Sequence, residues 1–85
     1  MNVRYSKEAL KQLKKLDKPT AKTIVEYMQG IEKLKNPRDR GKQLSGDLAE
    51  FWRYRMGNYR ILCRIQDREL VILVVEIGHR KDVYN

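Results

Sequence analysis

The chain has 85 residues and carries 19 Lys plus Arg against 11 Asp plus Glu, a net charge of +8. A single domain spanning 1–85 follows, with one thin core and no room for a second. The charge suits a polyanion or an acidic protein partner, while the periodic placement of the hydrophobic residues argues against disorder. Cys63 is the only cysteine and His79 the only histidine, which excludes an internal disulfide and a structural zinc site. Neither a metal nor another cofactor is expected. No apolar signal segment follows the first charges, and no run approaches about 18 apolar residues. The expectation is a cytoplasmic protein without a membrane partner.

Asn2 to Tyr5 reads as a short strand with Val3 and Tyr5 on one face. Ser6 offers an N-cap. Ala9, Leu10, Leu13 and Leu16 then recur at helical spacing, opposite Lys7, Lys11, Lys14 and Lys15, which predicts an amphipathic helix over about 6–16. Asp17-Lys18-Pro19 punctuates the chain and can cap a second helix. Its apolar stripe is Ala21, Ile24, Val25, Met28, Ile31 and Leu34, and Asn36-Pro37 ends it. Gly30 inside that stripe costs about 1 kcal/mol relative to Ala, or marks a close approach to a sheet. The short connection predicts an antiparallel helical hairpin. Residues 36–47 read as a loop holding Arg38, Arg40 and Lys42, either a solvated connection or an auxiliary RNA-backbone-binding loop.

From Phe51 to Arg64, apolar and aromatic residues alternate with arginines on both sides of Gly57-Asn58. Strict alternation marks half-buried strands, and Gly-Asn suits a type II′ hairpin turn. That register puts Trp52, Tyr54, Met56, Tyr59, Ile61 and Cys63 on one face. Arg53, Arg55, Arg60 and Arg64 share the other. Arg55 then faces Arg60, a like-charge pair that destabilises a sheet unless an anion lies between them. Phosphate fits, since guanidinium offers it planar bidentate donors. A solvated basic face remains the alternative. Leu70 to Ile77 is a nearly continuous apolar run, suited to a strand covered on both faces in mid-sheet. Gly78 breaks it before a polar tail. The fold class is α+β: an N-terminal strand and helical hairpin packed on a mainly antiparallel sheet.

Motifs for serine hydrolases, zinc proteases and P-loops are absent. Arginines, tyrosines and one His can still cleave RNA, whose 2′-hydroxyl is an internal nucleophile. Such a reaction needs alignment, phosphate neutralisation and the movement of two protons.

Lys42-Gln43-Leu44-Ser45-Gly46, Trp52-Arg53-Tyr54-Arg55-Met56, Tyr59-Arg60-Ile61-Leu62 and the closing Gly78-His79-Arg80 with Val83-Tyr84 resemble the RelE/ParE toxin superfamily, most of all its RelE branch. The likeness spans nearly the whole chain. It implies a RelE-like, microbial-ribonuclease-type fold. It also implies the toxin of a type II toxin–antitoxin system: a ribosome-dependent endoribonuclease that cuts mRNA in the decoding site. The implied partners are an acidic RelB-like antitoxin, the ribosome through its 16S rRNA and mRNA, and operator DNA only through the antitoxin. The family's basic residues before the turn fall on Arg53 and Arg55, and its later arginines on Arg60 and Arg80. The terminal tyrosine falls on Tyr84.

Better-known relatives carry lysines where this chain has Arg53 and Arg55. Arginine effectively never loses its proton, so a lysine-type base is excluded and both can only bind and stabilise charge. The mechanism expected on this resemblance is metal-independent. Arg60 and Arg55 hold the scissile phosphate. Arg53 binds a flanking phosphate or rRNA, with Lys42 and Arg64 as further RNA contacts. Tyr84 accepts the 2′-hydroxyl proton, Arg80 stabilises the departing 5′-oxygen, and water or His79 supplies a proton. The product is a 2′,3′-cyclic phosphate. Two alternatives stand beside it: a ParE-like inhibitor of DNA gyrase, and a non-enzymatic nucleic-acid-binding or repressor module.

Overall fold

The structure, a computed structural model, describes residues 1–79. Chain order is β1 (Asn2–Tyr5), α1 (Lys7–Lys15), α2 (Lys18–Glu32), a 3-10 turn (Pro37–Asp39), β2 (Lys42–Gln43), a second 3-10 turn (Gly46–Leu48), β3 (Trp52–Met56), β4 (Tyr59–Gln66) and β5 (Val71–His79). One sheet of order β1-β5-β4-β3-β2 results. Its pairs are antiparallel except β1 with β5, which run parallel.

Capping sets both helix starts. The Ser6 hydroxyl accepts from Ala9 N at 3.0 Å, and Asp17 Oδ2 accepts from Thr20 N at 3.1 Å. Each cap contributes about 1 kcal/mol. α2 ends at Glu32, two residues short of Leu34, which still packs against the core. Ala9, Ile24, Met28 and Ile31 from the helices meet Tyr54, Ile61, Cys63, Ile72, Val74 and Ile77 from the sheet. The aromatic face of the hairpin therefore points at the helices. Cys63 is fully buried there, and desolvation pushes its thiol well above the usual thiol range. Such a thiol is a small core hydrophobe.

Helix side chains also close the sheet's free edges. Glu32 Oε2 accepts from Val3 N at 2.8 Å on the outer edge of β1. Ser6 donates its hydroxyl to Val75 O, and Gln12 Oε1 accepts from Ile77 N, where β5 runs on past the end of β1. Satisfying edge groups in this way blunts a sheet against unwanted pairing.

Two sequence expectations need correction. Gly30 does not approach the sheet, since a Cβ there would meet nothing within 4 Å. Gly30→Ala is therefore expected to stabilise the protein by about 0.5–1 kcal/mol through lower chain entropy, read as a raised denaturant midpoint at constant m. The segment 36–47 is not a plain loop, because Lys42-Gln43 pairs with Trp52-Arg53 as an edge strand. The close approach sits at Gly41, with φ 84°, where a Cβ would fall 2.5 Å from Arg53 O. Arg40 O accepts from Trp52 Nε1 at 2.8 Å beside it, and buried Tyr54 donates its hydroxyl to Pro37 O at 2.7 Å.

Burial, above all, lifts Tyr5 from the ordinary tyrosine value of 10.0 to about 12, and pushes Tyr54 and Tyr27 upward as well. Folding thus favours the protonated phenols. That stability is fully present below the unfolded value near pH 10. It is lost as pH rises toward 12, because the unfolded chain releases its protons first. Melting temperature is expected to hold on the neutral side of pH 10 and to fall above it, in step with phenolate absorbance.

Candidate nucleic-acid interface

β3 and β4 are joined by Gly57-Asn58, with Gly57 at φ 59° and Asn58 outside the left-handed region, as a type II′ turn requires. The resulting register pairs Arg55 with Arg60 and Tyr54 with Ile61. Because side chains alternate, every arginine of the hairpin lands on the sheet face opposite the helices. β2 adds Lys42 directly across from Arg53. Two like-charge pairs therefore stand side by side on one face: Lys42 with Arg53, and Arg55 with Arg60. In the second row the next partner is Gly78 of β5, which puts no side chain beside Arg60.

Exposure differs along these rows. Lys42 and Arg55 are exposed, Arg53 is half-buried, and Arg60 is only 7% exposed. Beside them lies a small apolar cluster of Leu44 and Leu62, with Leu48, Phe51 and Val75 packed on it. Leu62 is the cross-strand partner of Arg53, so this cluster borders the arginines on their own face. Arg64 is on the same face but is locally engaged. Its guanidinium sits 5.0 Å over the Phe51 ring and 3.4 Å from Glu50 Oε1. Arg38 lies elsewhere, forked onto Asp67 at 2.9 and 3.0 Å, and that bond holds the Asp67 carboxyl below the usual carboxylate range.

His79 is not brought together with the arginines. It pairs with Tyr59 on the helix-bearing face, its ring edge-on to Tyr59 with centroids 5.9 Å apart. Arg80 and Tyr84 lie outside the described residues. A residue the sequence reading passed over is Glu76, which sits opposite Leu62 on the arginine face. Among the described residues, no group of three or more His, Cys, Asp or Glu side chains is placed to hold a metal ion.

The family model for the ParE toxin of the type II toxin–antitoxin system parDE matches residues 3–84. The chain belongs to the RelE/ParE toxin superfamily. It is 33% identical over 82 residues to Toxin RelG of Mycobacterium tuberculosis, covering 96% of this chain and 93% of that protein. Its fold superposes on the toxin–antitoxin complex RelBE2 of Mycobacterium tuberculosis with a TM-score of 0.84 at 32% identity, covering 93% of this chain and 96% of the other. The isolated E. coli RelE toxin shares the fold at 16% identity, with a TM-score of 0.73 and 92% and 82% coverage. This toxin is thus an α+β RelE-like protein of a type II toxin–antitoxin system. No helix of the described toxin is long and apolar enough to cross a membrane.

Proposed function

We propose that this toxin is a ribosome-dependent endoribonuclease that cuts mRNA in the decoding site without a metal ion. The observation that carries the reading is the Arg55–Arg60 pair in register, flanked by Lys42–Arg53, on an open sheet face with Arg60 largely sunk into it. Guanidinium groups in apposition offer an RNA phosphate planar bidentate donors. Arg60 and Arg55 grip the scissile phosphate while Arg53 and Lys42 follow the flanking backbone. Arg80 meets charge on the leaving oxygen and Tyr84 moves a proton. Similarity to Toxin RelG and to the RelE fold supports this reading. The test is to incubate programmed ribosomes with the toxin and map cut ends by primer extension. Cuts confined to the decoding-site codon, bearing a cyclic phosphate, are the expected result.

The partner is an acidic RelB-like antitoxin. Structures resembling this chain include toxin–antitoxin complexes. The chain offers two seats. One is the arginine face. The other is an apolar groove of about 500 Å³ between α1 and α2, lined by Leu10, Leu13, Ala21 and Val25 beside Lys14, Lys22 and Glu26. An amphipathic acidic helix fits the groove and an extended acidic segment fits the face. Charge reversal at Arg55 and Arg60 that leaves inhibition and its salt dependence unchanged would exclude the second seat.

A gyrase inhibitor is the competing reading, favoured by the ParE description of the matching family model. It acts by binding, so it predicts loss of DNA supercoiling by gyrase and intact mRNA on ribosomes.

A further inference from the structure

β5 contains a bulge that decides which way Glu76 points. Ile72 and Val74 face the core, so simple alternation would drive Glu76 into it as well. The pairing with β4 instead slips between Leu62 and Cys63: Cys63 pairs with Val74, Leu62 with Glu76, and Val75 is the extra residue. Val75 joins the apolar cluster, Ile77 returns to the core, and Glu76 emerges beside Leu62 on the arginine face. Bulges are frequent next to active sites, where they re-aim a side chain. α1 holds this one in place. Ser6 donates to the carbonyl just before Glu76, and Gln12 accepts from the N–H just after it. A side chain held on both flanks is a pre-organised one.

Glu76 does not serve the arginines as a counter-ion. Among the described residues it makes no ion pair and no side-chain hydrogen bond, whereas Glu50 is engaged with Arg64. On a face that only bound RNA backbone, a carboxylate would repel the ligand. It needs a different use. Glu76 is the diagonal cross-strand neighbour of Arg60, and such neighbours stand about 7–8 Å apart. That spacing puts the carboxylate and the guanidinium within reach of one bound nucleotide.

We infer that Glu76 is the general base of RNA cleavage, aimed by the β5 bulge at the 2′-hydroxyl of the nucleotide whose phosphate Arg60 holds. The assignment rests on the nuclease reading of this face. The Glu76 carboxylate takes the 2′-hydroxyl proton, and the 2′-oxygen bonds to phosphorus. The bond from phosphorus to the 5′-oxygen breaks, and that oxygen takes a proton from water. The products are a 2′,3′-cyclic phosphate and a 5′-hydroxyl. Glu76 then returns its proton to water and is ready again.

The experiment is single-turnover cleavage on programmed ribosomes, with ribosome binding measured separately and folding checked by circular dichroism. Glu76→Gln is expected to slow cleavage about 10²–10⁴-fold, the usual loss for a general base. Binding should stay the same or tighten, because a negative charge has left a cationic face. Glu69→Gln in the β4–β5 turn makes the same charge change and should cleave at the wild-type rate. Glu76→Ala provides a second route. Added formate should raise its rate and leave the wild type unchanged. Cleavage by Glu76→Gln within about threefold of wild type, about 0.7 kcal/mol in barrier, or faster, overturns the assignment. So does an Ala variant that formate does not rescue. A wild-type toxin that leaves mRNA intact overturns the nuclease reading itself, and this assignment with it.

Discussion

Arg60→Met is expected to reduce mRNA cleavage about 10²–10³-fold, the usual loss for one charge-stabilising donor, while the fold survives. Methionine keeps much of the volume and an unbranched apolar stem. It also removes the repulsion across the strands from Arg55. Thermal melts should still show one cooperative transition even as activity collapses. Arg60→Lys should fall between the two, because it restores a point charge without the planar fork. The measurement pairs single-turnover cleavage with thermal melts. A folded Arg60→Met variant that cuts at the wild-type rate would remove Arg60 from the phosphate site.

That prediction draws on the part of the molecule most legible from its residues. Alternation around Gly57-Asn58 fixes one face for the aromatics and one for the arginines, and a two-residue turn leaves a single register. Strand period and turn geometry are local, so the Arg55–Arg60 pair could be placed without knowing any tertiary contact. The helical hairpin is legible for the same reason, from 3.6-residue spacing and the caps at Ser6 and Asp17.

Non-local features escaped. Lys42-Gln43 is only two residues long, and becomes a strand because Gly41 lets the chain press against β3. Nothing in its own composition says so. The parallel pairing of β1 with β5 joins residues near opposite ends of the chain. The β5 bulge is hidden inside Val74-Val75-Glu76-Ile77, where two apolar residues in a row permit either parity. An acidic residue in an otherwise apolar run was the available signal. A glutamate that cannot be buried implies that the strand turns it outward. The same parity settles His79. With Gly78 opposite Arg60, the next residue must lie on the helix-bearing face beside Tyr59. His79 is thereby kept off the arginine face.

Tyr84→Phe is expected to lower the cleavage rate about 10²–10⁴-fold with ribosome binding retained, since only a hydroxyl is removed. A 2′-deoxy residue at the cut position should abolish cleavage by any variant, because the nucleophile is gone. A chelator should leave the chemical step unchanged as long as the magnesium needed for ribosome integrity is restored. Which proton Tyr84 moves can be read from the leaving group. A substrate with sulfur in place of the bridging 5′-oxygen departs as a thiolate and needs no proton. If Tyr84 is the acid, this substrate rescues Tyr84→Phe and does not rescue Glu76→Gln, whose missing step is deprotonation of the 2′-hydroxyl. If Tyr84 is the base, sulfur rescues neither the Phe variant nor any other change at the 2′-oxygen. A Tyr84→Phe rate within about threefold of wild type, about 0.7 kcal/mol in barrier, would take Tyr84 out of proton transfer and leave the 5′-oxygen to be protonated by water.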